Sequence, residues 1–190
     1  MKVFPGLIAL CLIYFTVAHG VYANTSSLDV SGTTGYVRVQ NDPELNPSGG
    51  MTVEAWVFRN DASRCETVVG KNFRTSFWLG FCSSGIRFYT NGYGTNRDSP
   101  QPVPSGQWVH IAVTFDGSTR IYYQDGMVVY QASTPSTLPL NTSDLVIGAD
   151  SLGDFIFDGN IAEARFWDHA RTIDQIREYM PRIVTGMEPG

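Results

Sequence analysis

Positive charge is scarce in this sequence. Thirteen Lys and Arg stand against 18 Asp and Glu, a formal charge of −5 over 190 residues, and the basic residues are scattered singly. An acidic surface without a Lys/Arg cluster argues against nucleic acid and anionic membranes as partners, because both require phosphates to be neutralised. A neutral or cationic ligand fits that charge better. Histidine and cysteine number three each. With no Gly-x-Ser-x-Gly elbow either, nucleophilic catalysis has few candidates. No apolar run reaches the about 20 residues that span a bilayer, so membrane insertion is not expected. Internal repeats and low-complexity tracts are lacking as well.

What is present begins with an export signal. Lys2 precedes an apolar run from Leu7 to Val17, and Val21, Tyr22 and Ala23 place compact residues where a signal peptidase reads. Residues 1–23 are therefore expected to be a leader cleaved after Ala23, with cleavage after Gly20 as the alternative. Removing it takes away Lys2 and moves the formal charge from −5 to −6. Residues 24–182 have the length of one domain, and 183–190 read as a polar, linker-like tail. Cys11 leaves with the leader, so Cys65 and Cys82 reach an oxidising compartment as the only thiols, where pairing is the expected state. Closing that loop contributes on the order of 3 kcal/mol. Asn24 and Asn141 head sequons that a eukaryotic host would glycosylate, whereas Pro47 blocks the one at Asn46.

The body of the chain alternates apolar and polar residues in short runs bounded by Gly, Pro, Asn and Asp. Strands are expected at about 28–30, 35–40, 51–59, 65–71, 76–83, 85–91, 107–116, 119–124, 127–132, 144–149, 154–158 and 160–168. So many short strands in one domain predict an all-β, antiparallel two-sheet sandwich or barrel. Asp125-Gly126 between alternating strands predicts a type I′ hairpin with Tyr123 opposite Val128, Tyr122 opposite Val129 and Ile121 opposite Tyr130. A second hairpin sets Lys71 opposite Ser76 and Cys65 opposite Cys82. One short C-terminal helix starts at Thr172, whose hydroxyl and Gln175 form a capping box, and ends at Pro181. Ile173, Ile176, Tyr179 and Met180 share its apolar face, which is expected to lie over one end of the sandwich.

Four segments in order carry a resemblance: Leu28 to Val37, Met51 to Val57, Gln107 to Gly117 and Phe157 to Trp167. Together they resemble the laminin-G-like, concanavalin A-like jelly-roll domains, over about residues 28–180. The Tyr122 to Gly126 hairpin and Ile147-Gly148 before the last strand look like that family too. The resemblance implies a jelly-roll sandwich that serves carbohydrate binding, cell adhesion, protein binding or, in distant branches, glycoside hydrolysis. It also suggests calcium, which many relatives hold at a sandwich edge. Asp150, Asp154 and Asp158 in a glycine-containing loop are the expected ligands, since Ca²⁺ takes carboxylate and carbonyl oxygens from such loops. The Ser31 to Gly35 stretch, often richer in acids among relatives, has none here.

Retaining glycosidases need two carboxylates about 5 Å apart facing one groove. Glu54 stands alone on its strand, and Asp158 and Glu163 fall on opposite faces, so no catalytic residue is expected. His110, between Val109 and Ile111, reads as a packed structural histidine and His169 as an exposed one. Trp56, Trp108 and Trp167 read as core. The longest irregular segment, 91–106, is the expected binding loop. Tyr89 and Tyr93 would stack on a sugar while Asn91, Asn96, Arg97 and Asp98 bond its hydroxyls. The expectation is a secreted, non-catalytic module that binds a glycan or an extracellular protein. A polysaccharide hydrolase, or an adhesion segment of a larger assembly, is the alternative.

Overall fold

The computed structural model describes residues 27–31, 35–72, 74–82, 84–91, 97–133 and 135–182. The expected leader, Asn24, Tyr93, Asn96 and the 183–190 tail lie outside them. Twelve strands form two antiparallel six-stranded sheets. Sheet A runs β1 (Leu28–Asp29), β12 (Gly159–Trp167), β3 (Met51–Arg59), β8 (Trp108–Phe115), β9 (Thr119–Gln124) and β10 (Met127–Ser133). Sheet B runs β2 (Val37–Val39), β11 (Leu145–Ile147), β4 (Cys65–Lys71), β5 (Phe77–Cys82), β6 (Gly85–Thr90) and β7 (Arg97–Pro102). The expected jelly-roll sandwich is what forms.

Alternation explains how the sheets close on each other. On β3, Met51, Val53, Ala55 and Val57 turn inward and are fully buried. Val109, Ile111, Val113 and Phe115 of β8 do the same beside them. Phe77, Leu79 and Phe81 of β5 and Ile86 and Phe88 of β6 supply the facing layer. Each such side chain removed from water contributes roughly 1.5–3 kcal/mol. Polar ties cross the same interior. Arg59 on β3 pairs with Glu66 on β4, Nη2 to Oε2 at 2.9 Å, and Arg120 on β9 donates to the Thr90 hydroxyl on β6 at 2.7 Å.

The Asp125-Gly126 turn forms as expected, with φ of 49° and 70°. Val128 lies opposite Tyr123, but a bulge then sets Tyr130, not Val129, opposite Tyr122. Cys65 lies opposite Cys82 and the two are disulfide-bonded. Between Thr67 and Val69 another bulge shifts the register, so Lys71 meets Phe77 rather than Ser76. An extra residue in one strand is a common device for adding twist, and it leaves no alternation signal in the sequence.

Two expected elements differ. The 91–106 segment is not irregular throughout, because residues 97–102 form β7 on β6, with Asp98 opposite Arg87 and Pro102 opposite Gly85. Pro100 and Pro102 hide it, and only an edge position such as this tolerates them. Residues 154–158 are not a strand. Phe155 sits at φ 49°, and the Asp150 carboxylate accepts from the amides of Leu152 (2.9 Å) and Asp154 (2.8 Å), which turns the chain there.

The helix, α1 (Ile173–Tyr179), has both bonds of the capping box between Thr172 and Gln175. It covers the outer face of sheet A rather than an end of the sandwich: Ile176, fully buried, packs on Ala112 and Tyr123. No helix among the described residues is long and apolar enough to cross a membrane.

Since the two sheets share an apolar interior independent of the cystines, the disulfide braces one hairpin. Replacing Cys65 and Cys82 by Ala is expected to lower stability by about 3 kcal/mol while leaving the fold intact. Urea unfolding followed by circular dichroism measures both, and a chain that is unfolded without denaturant would refute the assignment.

Candidate functional site

Sheet B's outer face gathers two of the expected binding residues. Tyr89 stacks on Trp78 across β5 and β6, centroids 5.5 Å apart and planes within 10°. The Trp78 indole N–H donates to the Thr67 hydroxyl at 2.9 Å. Gly80 lies beneath that indole, and a Cβ there would overlap the Glu66 carbonyl. Tyr89 is 3% exposed, so its ring serves the Trp78 stack. Asp98 receives a fork from Arg87, both N–H···O distances 2.6 Å, and this hydrogen-bonded pairing holds the Arg87 guanidinium above its ordinary range. Asn91, at φ 52°, donates its amide to the Thr137 hydroxyl at 3.0 Å. Arg97 joins the ladder opposite Phe88.

Asp150, Asp154 and Asp158 do different work. Asp150 is buried and caps its own turn, as described. Asp158 accepts from the Asn60 amide at 3.0 Å and pairs with Arg64 at 3.3 Å. Among the described residues, no three His, Cys, Asp or Glu side chains lie together where they would hold a metal ion. Asn141, half-buried, accepts from the Ser143 amide at 2.9 Å.

Glu54 has company that the sequence does not announce. Its carboxylate, fully buried under the C-terminal segment, accepts from the Trp167 indole at 2.9 Å and from Arg171 Nη1 at 3.3 Å, with Arg165 Nη1 at 3.5 Å. His110 Nε2 lies 3.6 Å from its other oxygen. Arg171 also lies over the Trp167 ring at 3.8 Å, and Arg165 donates to the Tyr179 carbonyl at 2.8 Å and to that of Arg182. The cluster thus fastens α1 to sheet A. Burial above all, then Arg165 and Arg171, lowers His110 to about 3, so the imidazole is neutral, as a packed structural histidine should be.

Of the tryptophans expected in the core, Trp167 is buried, though beneath α1, and Trp56 and Trp108 are not. Trp56, Trp108 and Trp167 share the outer side of β3, β8 and β12 with Glu54. Trp167 is sealed under α1 and Trp56 donates to the Met180 carbonyl at 3.0 Å. Trp108 is 39% exposed and stands against Phe58, centroids 5.8 Å apart. A parity count from Glu54 would have shown this, since Trp56 and Phe58 lie two and four residues along the same strand. Elsewhere, an open cleft of about 420 Å³ lies between the sheet edges, lined by Leu28, Val37, Ile147 and Ile161, with Glu163 and Arg165 also at its wall.

Two antiparallel six-stranded sheets with a helix on one outer face define a concanavalin A-like sandwich. The family model of the concanavalin A-like lectin/glucanases superfamily, laminin G type, matches residues 31–177, and the chain belongs to that family. No curated protein matches the chain. Among solved structures, a Ruminococcus gnavus sialidase module, CBM40 bound to α2,3-sialyllactose, is similar with TM-score 0.67 at 12% identity, over 80% of this chain and 95% of that one. Domain 4 of AbnA, an extracellular arabinanase of Geobacillus stearothermophilus in complex with arabinotriose, is similar with TM-score 0.60 at 19% identity, over 78% and 81%. A Bacteroides ovatus protein named as a candidate carbohydrate binding protein aligns with TM-score 0.66 at 19% identity over 82% of this chain. The match spans 48% of that protein. At these identities the likeness is one of fold.

The neutral His110 sets a pH dependence. In the unfolded chain a histidine takes a proton near pH 6.5, and in the fold His110 does so only near 3. Protons therefore favour the unfolded chain, and stability is lost as pH falls from about 6.5 towards 3, by up to about 1.4 kcal/mol per pH unit. Unfolding free energies of the wild type and His110→Gln at pH 4 to 7 isolate this slope; equal slopes would refute the buried, neutral assignment. Glu54→Gln, which takes the carboxylate from the buried Arg171 and leaves Arg165 its pair with Glu163 at 3.0 Å, is expected to cost about 3 kcal/mol in the same measurement.

Proposed function

We propose that the chain is an exported, non-catalytic module that binds a glycan. The family takes in lectins and glucanases alike, and the state of Glu54 favours the lectin side. This carboxylate, on a central strand of sheet A, is engaged by Trp167, Arg165 and Arg171 and closed off from solvent beneath α1. A glycosidase needs its carboxylates open to substrate and paired across the scissile bond. Structures of the same fold supply a parallel, since one is bound to sialyllactose and another to arabinotriose. Export is supported by the apolar N-terminal run and by the pairing of Cys65 with Cys82, which an oxidising compartment permits.

A broad glycan array, run beside a reducing-sugar assay on the same polysaccharides, tests this reading. Binding without release of new reducing ends is expected. Hydrolysis would overturn the non-catalytic part. An empty array from folded protein would overturn glycan binding and turn the search to extracellular proteins.

Calcium assistance is a separate proposal, which rests on the acid and glycine content of the 150–158 sequence and not on side chains that lie together. Thermal unfolding in millimolar calcium and in chelator decides it. A raised midpoint in calcium carries it and an unchanged midpoint removes it.

A further inference from the structure

The outer face of sheet A is only partly covered by α1. Beyond Trp56, where the Met180 carbonyl marks the end of the helix, the cross-strand row Asn160, Phe58, Trp108 runs over β12, β3 and β8. Trp108 is 39% exposed and its plane stands at 63° to that of Phe58. One step further along, the Asn60 amide meets Asp158 at 3.0 Å. Aromatic surface therefore runs in one cross-strand row with Asn160, and the Asn60 amide and Asp158 carboxylate follow at the adjoining ends of β3 and β12.

Resting on the glycan-binding reading, we propose that this row is the binding site and that it takes an uncharged sugar ring, stacked on Trp108 and hydrogen-bonded by Asn160, Asn60 and Asp158. The C–H face of a pyranose is apolar while its rim of hydroxyls both donates and accepts, so it needs an aromatic plane with amides and an acceptor at its edge. Charge selects the class. The cation beside the row, Arg64, is engaged by Asp158 at 3.3 Å and by Glu66 at 3.7 Å. A sialic or uronic acid would bring a further carboxylate against Asp158 on a protein of net charge −5. The position also explains an otherwise unfavourable exposure. An indole left in water on a strand end contributes little to folding, whereas tryptophan is enriched among the residues that carry binding energy.

The test uses the wild type, Trp108→Ala, Trp108→Phe and Tyr36→Ala, the last removing an exposed aromatic beside edge strand β2. Circular dichroism and the unfolding midpoint certify each fold. On an array of neutral, sialylated and uronic-acid oligosaccharides, the wild type is expected to bind neutral ones. Trp108→Ala should then lose at least about tenfold in affinity, Tyr36→Ala should lose none, and Trp108→Phe should fall between. Indole fluorescence gives a second readout should Trp108→Ala not fold: a neutral oligosaccharide is expected to change the wild-type signal, and Trp108→Phe to abolish the change. Neutral-glycan binding that survives Trp108→Ala overturns the site while leaving the glycan-binding reading in place. Binding of acidic glycans alone overturns the ligand class. No glycan binding by folded wild type overturns both.

Discussion

Everything in this molecule depends on burying two apolar sheet faces against each other. Val53, Val57, Ile111 and Phe115 on one sheet and Leu79, Phe81, Ile86 and Phe88 on the other are wholly removed from water. Because strand side chains alternate, fixing these inward also fixes which residues point out. The outer faces are where the chain has freedom. Sheet B lays Trp78 over glycine with Tyr89 stacked on it, and sheet A carries α1 on part of its outer face.

Polar groups inside such a sandwich must carry their own partners, because an unpaired buried charge is costly. The protein shows three solutions, two between the sheets and one beneath α1. Arg59 pairs with Glu66 while lying 4.0 Å over the Phe81 ring. Burial pushes the Glu66 carboxyl up against the opposing pull of Arg59, and that guanidinium is what allows an acid to sit there. Lys71, turned inward on β4, donates to the side-chain oxygens of Asn41 and Asn46, each at 2.8 Å, and to the Leu45 carbonyl at 3.1 Å. It thereby draws the 41–46 loop onto the sheet. Under the helix, two arginines and an indole engage one carboxylate oxygen of Glu54. In each case the polar group joins segments that the apolar core alone would leave loosely related.

Legibility in the sequence followed the range of the interaction. The Asp125-Gly126 turn, the Thr172 capping box and the facing cysteines depend on residues close in the chain, and all three are present. The Glu54 cluster depends on Trp167 and Arg171, more than a hundred residues away, and no local pattern points to it. The tryptophans were misplaced for a related reason. A strand with apolar residues on both faces reads as one continuous run, and Ala55 to Phe58 is such a run, with Trp56 and Phe58 on the outer side. β7 was hidden by its prolines. Tyr89, expected to stack on a sugar, stacks on Trp78 instead, a cross-strand contact that depends on register.

The same difference in range separates what holds the fold from what is available for binding. Residues whose partners are distant, such as Glu54, Arg165, His110 and Trp167, are sealed, and their chemistry is consumed in joining α1 to the sheet. Trp108, further along that sheet, instead stands against Phe58 on the neighbouring strand and is 39% exposed. Lengthening α1 by even a turn, about 5 Å, would bring further cover over this end of the sheet. Pro181, which has no N–H to continue the ladder, follows the last turn at Met180, so the helix stops beside Trp56.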